Sequence, residues 1–241
     1  NGIYDAAGNE ASTSQSNNTI SLIEKILPTI TGVSIASNNS TIAVTISEAV
    51  YKTNGGSGAL EASDFTFSIS GGAASLSSAT PSSISASGNV YTLGVGLSGT
   101  PNGSETLTVT PVDNGIYDTA GNEASTSQSN NTISLNDKLA PTITAITISS
   151  NNSAIYITLS ESVYNTNSAS GSLESADFAF VINGGLATLA SSQPTEISSS
   201  GNVYTLGLSL SGTPNGSETL TVNVVDNGIY DAVGNEASTS Q

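Results

Sequence analysis

The chain has no histidine, cysteine, tryptophan or methionine, and only three basic residues, Lys25, Lys52 and Lys138. Without an imidazole there is no Ser-His-Asp relay, and without a thiol there is neither a cysteine nucleophile nor a disulfide framework. The soft nitrogen and sulfur ligands that zinc and copper prefer are missing as well. A formal net charge of -16 repels nucleic acid and anionic lipid, and three lysines are a poor cradle for phosphate. No apolar run approaches the roughly 20 residues that a bilayer-spanning helix needs, and no signal-peptide pattern is present. Paired carboxylates could in principle serve a glycosidase, but tandem near-identical enzymes are unusual. The expectation is a protein that is not an enzyme.

What remains is patterned. Charged residues make up 9% and apolar residues 36%, a composition that alone would fit disorder, yet the apolar residues alternate. STIAVTIS (40–47) places Ile42, Val44 and Ile46 on one face; DFTFSIS (64–70) does the same with Phe65, Phe67 and Ile69. NVYTLGVGL (89–97) aligns Tyr91, Leu93, Val95 and Leu97, ETLTVTPV (105–112) aligns Leu107 and Val109, and TITGVSIA (29–36) supplies Ile30, Val33 and Ile35. Period-two alternation marks strands with one buried face, and no stretch carries a helical period. Turn clusters such as SNNS (37–40), ASGN (86–89) and SGTPNGS (98–104) separate them. Strands are expected over 29–36, 40–47, 64–70, 73–78, 89–97, 105–112 and 124–135, an all-β immunoglobulin-like β-sandwich.

NGIYDAAGNE (1–10) returns as NGIYDTAGNE (114–123) and NGIYDAVGNE (227–236), a period of 113 residues. A spacing of one domain's length predicts tandem immunoglobulin-like repeats. The expected division is the last part of a preceding repeat in 1–27, a complete repeat in 28–140, and a second repeat in 141–241 that stops within its last strand. In each copy the motif is the loop before the last strand. Asp118 and Asn122 there can bond backbone amides, Gly121 can take a positive φ, and Ile116 or Tyr117 can tuck over the core. The stretch 1–27 carries a last strand with Ile20 and Leu22 but no strands of its own repeat to receive it. Either the sequence is a slice of a continuous array, or that strand is exchanged between chains of a homo-oligomeric filament.

AVTISEAVY (43–51) with DNGIYDTAGNEAS (113–125), matched by YITLSESVY (156–164) with DNGIYDAVGNEAS (226–238), resembles the bacterial immunoglobulin-like repeats of surface-layer proteins and giant cell-surface adhesins and filaments. Those repeats carry Ser-Glu-x-Val at the end of an early strand and Asp-x-x-Gly-Asn before the last. The resemblance implies a secreted, extracellular structural repeat on the cell surface, its partners being neighbouring repeats, with no nucleic acid and no membrane insertion by this segment. An alternative is an adhesive module in which each repeat binds glycan or protein, Tyr51 and Tyr164 stacking on sugar rings.

Acidic residues recur in register. In an immunoglobulin-like sandwich the loops after the second, fourth and sixth strands lie where the first strand enters, beside the incoming linker. LNDKLAP (135–141) is thereby expected to bring Asp137 toward Glu161, Asp177, Asp226 and Asp231, and LIEKILP (22–28) to bring Glu24 toward Glu48, Asp64, Asp113 and Asp118. Such a set is either a group of solvated loop carboxylates or a site for Ca2+ at the inter-repeat junction, since calcium takes about six to eight oxygen ligands.

Overall fold

The computed structural model describes residues 2–239. Apart from two single 3-10 turns, Ala62–Asp64 and Ser175–Asp177, all its regular structure is β-strand. In chain order, the strands up to residue 135 are β1 (Ile30–Ile35), β2 (Thr41–Ile46), β3 (Phe65–Ser70), β4 (Ser75–Leu76), β5 (Ile84–Ser87), β6 (Val90–Gly94), β7 (Leu97–Ser98), β8 (Thr106–Pro111) and β9 (Thr132–Ser134). They are followed by β10 (Ile143–Ile148), β11 (Ala154–Leu159), β12 (Phe178–Asn183), β13 (Thr188–Leu189), β14 (Ile197–Ser200), β15 (Val203–Gly207), β16 (Leu210–Ser211) and β17 (Thr219–Val224). The bounds of β10–β17 lie 113 residues beyond those of β1–β8.

The chain divides into two compact units. One runs to Ser68 and adds Leu76–Gly96 and Leu107–Ile133; the other comprises Ile69–Ser75, Leu97–Thr106 and the chain from Ser134 onward. The sheets are small: β1-β2-β6-β5, β3-β8-β9 and β4-β7, then β10-β11-β15-β14, β12-β17 and β13-β16. Alternation decides which side chains face inward. Ile42, Val44 and Ile46 of β2 are buried, as are Tyr91 and Leu93 of β6, Phe65 and Phe67 of β3, and Leu107 and Val109 of β8. The Phe65 and Tyr91 rings meet across the core with centroids 6.0 Å apart. In the second unit Ile155, Ile157, Leu159, Phe178, Phe180, Tyr204, Leu206 and Val224 form one cluster, with Phe178 and Tyr204 centroids 6.5 Å apart. Full burial of each aliphatic side chain stabilises by about 1.5–3 kcal/mol, which lets Ser- and Thr-rich strands hold a fold.

The expected strands need five corrections. The last strand, placed at 124–135, is only Thr132–Ser134, because residues 124–128 turn on themselves through the Ser125 hydroxyl and the Gln128 side chain. The strand at 73–78 shrinks to Ser75–Leu76. The run 89–97 stops at Gly94, and Leu97 pairs separately in the short β7 strand. Ile84–Ser87 is an edge strand paired with β6 that polar, weakly alternating residues concealed. No strand forms among the described residues of 11–27. Ile20 and Leu22 are 91% and 93% exposed there, since a strand with no neighbour leaves its amides and carbonyls unpaired.

Candidate functional site

The loop after β17 is built by Asp231. Its Oδ1 accepts the amides of Val233 and Asn235, each at 2.8 Å, and its Oδ2 accepts Asn235 Nδ2 at 2.7 Å. Three hydrogen bonds hold this fully buried carboxylate in place. Glu161 follows the end of β11, and Asp137 lies on the segment that precedes β10. Asp137 Oδ1 accepts the Leu139 amide at 2.9 Å, which fixes the local turn. Within this unit one carboxylate oxygen from each of Asp137, Glu161 and Asp231 lies within 4.8 Å of the others. Burial raises the Glu161 pKa, and repulsion from Asp231 and Asp137 raises it further.

The corresponding trio in the first unit is Glu24, Glu48 and Asp118. Asp118 Oδ1 and Oδ2 accept the amide and Nδ2 of Asn122, both at 2.8 Å, and Asn122 Nδ2 also donates to Glu24. Burial raises Glu48, with Asp118 and Glu24 adding repulsion. Burial pushes Asp118 up too, but its bonds from Asn122 outweigh that and leave it below the usual range. The remaining predicted residues serve elsewhere. Asp64 Oδ2 and Asp177 Oδ2 accept the amides of Glu61 and Glu174, each at 2.7 Å, and so cap the two 3-10 turns. Asp113 and Asp226 each take an Nδ2 proton from the next residue, Asn114 or Asn227, at 2.8 Å. In the second copy three of the five predicted carboxylates converge; in the first, Glu24 and Asp118 act on Glu48 electrostatically, but among the described residues only the second-copy trio meets at this distance. Asp231 already accepts three hydrogen bonds.

Tyr51 and Tyr164 pair through their backbones with Tyr117 and Tyr230, and their rings are partly buried at the rim.

Sequence reasoning passed over Glu105 and Glu218 as sites. Glu105 is fully buried, and its Oε1 accepts the amides of Ala73 at 2.7 Å and Ala74 at 2.9 Å. The Asn102 amide reaches both of its oxygens, at 3.2 and 3.1 Å. Burial pushes this carboxyl up, but the amides of Ala74, Asn102 and Ala73 prevail and hold it below the usual range. Glu218 repeats the arrangement and is held down to about 2, chiefly by the Ala187 amide. The available signal was Gly72, at φ +61, where a Cβ would stand 2.1 Å from the Glu105 carboxylate.

No protein-family model matches the chain, and no curated protein matches it. Among solved structures it is similar to the N-terminal part of the bacterial S-layer protein SbsC, at 18% identity and a TM-score of 0.34. That match covers 83% of this chain and 44% of the other, so the chain spans less than half the length of its neighbour.

Proposed function

We propose that the chain is a structural segment of an extracellular bacterial surface filament or adhesin stalk, built from tandem immunoglobulin-like sandwiches with a 113-residue period. One observation carries this reading. The strand order β1-β2-β6-β5 facing β3-β8-β9 matches the constant-type immunoglobulin sandwich, and β10-β11-β15-β14 with β12-β17 follows the same order. A chain that spends two near-identical domains on Ser, Thr, Asn and Gly surfaces is suited to extension. If strands run along the array, each sandwich adds roughly 3–4 nm at about 3.3 Å per residue. The role is mechanical rather than catalytic; neighbouring repeats are its partners, and strand exchange would join chains into a homo-oligomeric filament.

Calcium at the trio Asp137, Glu161 and Asp231 would relieve the repulsion that raises Glu161 and would stiffen the segment leading into β10. Antibodies raised against this chain, applied to intact cells, test the main reading: label along filaments supports it, and label confined to the cell interior refutes it. A glycan array with the same chain decides against the adhesive alternative unless binding is specific and saturable.

A further inference from the structure

The sequence places a glycine directly after an asparagine seven times. That dipeptide carries a reaction of its own. The glycine amide nitrogen attacks the asparagine Cγ, ammonia leaves and a cyclic imide forms, which water opens to isoaspartate or aspartate. Glycine favours the closure because it has no side chain in the way and takes backbone angles closed to other residues. Inside a fold the reaction needs two further things. The glycine amide must be free to act as nucleophile, and the side-chain carbonyl must be polarised and held near it.

The fold supplies these unequally. In both copies of the loop that opens with Asp-Asn-Gly, the reaction is blocked. The Gly115 amide donates to the Val112 carbonyl at 3.0 Å, and the Gly228 amide to the Val225 carbonyl at 3.1 Å. The leaving nitrogens are tied as well, since Asn114 Nδ2 and Asn227 Nδ2 donate to Asp113 and Asp226 at 2.8 Å.

Asn102 is arranged in the opposite way. Its Oδ1 accepts the Ser104 amide at 3.1 Å, which bends the side chain into a turn that includes the Gly103 nitrogen and polarises the carbonyl to be attacked. Among the described residues the Gly103 amide has no acceptor. Gly103 and Ser104 are exposed, so water reaches the turn. The flanking backbone is anchored. The Asn102 amide donates to both Glu105 oxygens, at 3.2 and 3.1 Å, and the Pro101 carbonyl accepts the Lys138 amide at 2.8 Å.

We propose that Asn102 is a self-modification site, at which the Gly103 amide closes onto the side chain and water then leaves an isoaspartyl or aspartyl residue. The Gly103 N–Cγ bond replaces the Cγ–Nδ2 bond, the amide proton departs with Nδ2 as ammonia, and one water adds across the imide. No oxidant, reductant or second protein is required. The isoaspartyl product has a longer backbone and a new carboxylate. Both fall between the Glu105 and Lys138 anchors and beside Asp137, whose Cβ lies 3.2 Å from where a Cβ on Gly103 would stand. Like-charge repulsion and the extra backbone atom together loosen the bond from Lys138 to Pro101, which ties this loop to the segment before β10.

Incubation of the folded chain at mildly alkaline pH in water labelled with heavy oxygen, followed by peptide mapping, tests this. Ring opening writes labelled oxygen into each residue that reacts. Label should enter at Asn102 at least about tenfold faster than at Asn114 or Asn227, because breaking even one hydrogen bond before attack adds about 1.4 kcal/mol to their barrier. In urea the three sites should converge, since each is then an unheld Asn-Gly pair. Hydrogen exchange at the Lys138 amide should be faster in the isoaspartyl form, isolated by chromatography, than in the unreacted chain. Equal labelling of the three sites in the folded chain overturns the proposal. So does an advantage of Asn102 that persists undiminished in urea, which would make it a property of the local sequence. An unchanged exchange rate at Lys138 overturns the loosening of the loop.

Discussion

Glu105→Gln is the substitution with the clearest quantitative consequence. Three backbone amides, from Ala73, Ala74 and Asn102, converge on this fully buried carboxylate. A hydrogen bond to a charged acceptor contributes about 1.5–3 kcal/mol and one to a neutral acceptor about 0.5–1.5. Glutamine keeps one carbonyl for Ala73 and Ala74, but it turns an NH2 toward the Asn102 amide, donor against donor. Weakening two bonds by about 1–1.5 kcal/mol each and losing the third, worth about 1.5–3, comes to about 3.5–6 kcal/mol. The assay is urea unfolding of wild type and variant at neutral pH and again under acid. The folded-state pKa of Glu105 is depressed below its ordinary 4.5, so its contribution is fully present above that value and fades as pH falls toward the folded pKa. The stability gap between the two proteins must therefore narrow in acid. A gap under about 0.5 kcal/mol at neutral pH, within the usual range of neutral surface substitutions, would refute the reasoning. So would a gap that stays constant as the pH is lowered.

Gly121→Ala and Gly8→Ala form a matched pair, at φ +85 and +86 in local sequences that differ only at Ala6 and Thr119. A Cβ at Gly121 would stand 2.6 Å from the Asn54 carbonyl, whereas one at Gly8 meets nothing within 4 Å. Both substitutions carry the roughly 1–2 kcal/mol of left-handed strain, and Gly121→Ala adds a clash with the Asn54 carbonyl, so it should lower the thermal midpoint more than Gly8→Ala does. Asn131→Ala removes the amide that seals the Val109 carbonyl; a loss of about 1–3 kcal/mol, read by denaturant unfolding, is expected for the orphaned acceptor. Glu161→Gln should raise the thermal midpoint in chelator, because it removes a group that burial and two neighbouring carboxylates keep reluctant to ionise. A raised carboxylate pKa means stability gained as pH falls through it, so the variant's advantage should vanish in acid. If calcium binds there, the order of the two midpoints reverses when the ion is added.

The residues show how much of this was legible beforehand. Period-two alternation located β1, β2, β3, β6 and β8 to within one residue at their starts, because burying one face of a strand requires that pattern. It missed β5, whose ISAS sequence is mostly exposed and carries almost no alternation. The register of acidic residues found Glu161 and Asp231 but could not separate them from Asp177, whose carboxylate is taken by the amide of Glu174, three residues before it. Glu105 looked like another loop acid. Only the fold shows that the turn after β3 aims its amides at it.

Two identical stretches divide the roles of sequence and tertiary structure. The turn around Asp5 forms with the amides of Ala7 and Asn9 each 2.9 Å from Oδ1, although no strand of a sheet precedes it, much as the turns at Asp118 and Asp231 form in the loops after β8 and β17. Its partners lie within four residues, so the local sequence determines it. SNNTISL has no such autonomy. At 129–135 it is a strand edge with Asn131 and Leu135 buried, and at 16–22 it is exposed and without strand structure. Its hydrogen-bond partners sit on β8, more than twenty residues away in sequence at Val109, and a strand gains its bonds only from a neighbour. The sequence by itself determined the turns, the alternation and the repeat. The tertiary structure decided which of two identical segments became a strand, because among the described residues only 129–135 lies along a sheet edge, that of β8.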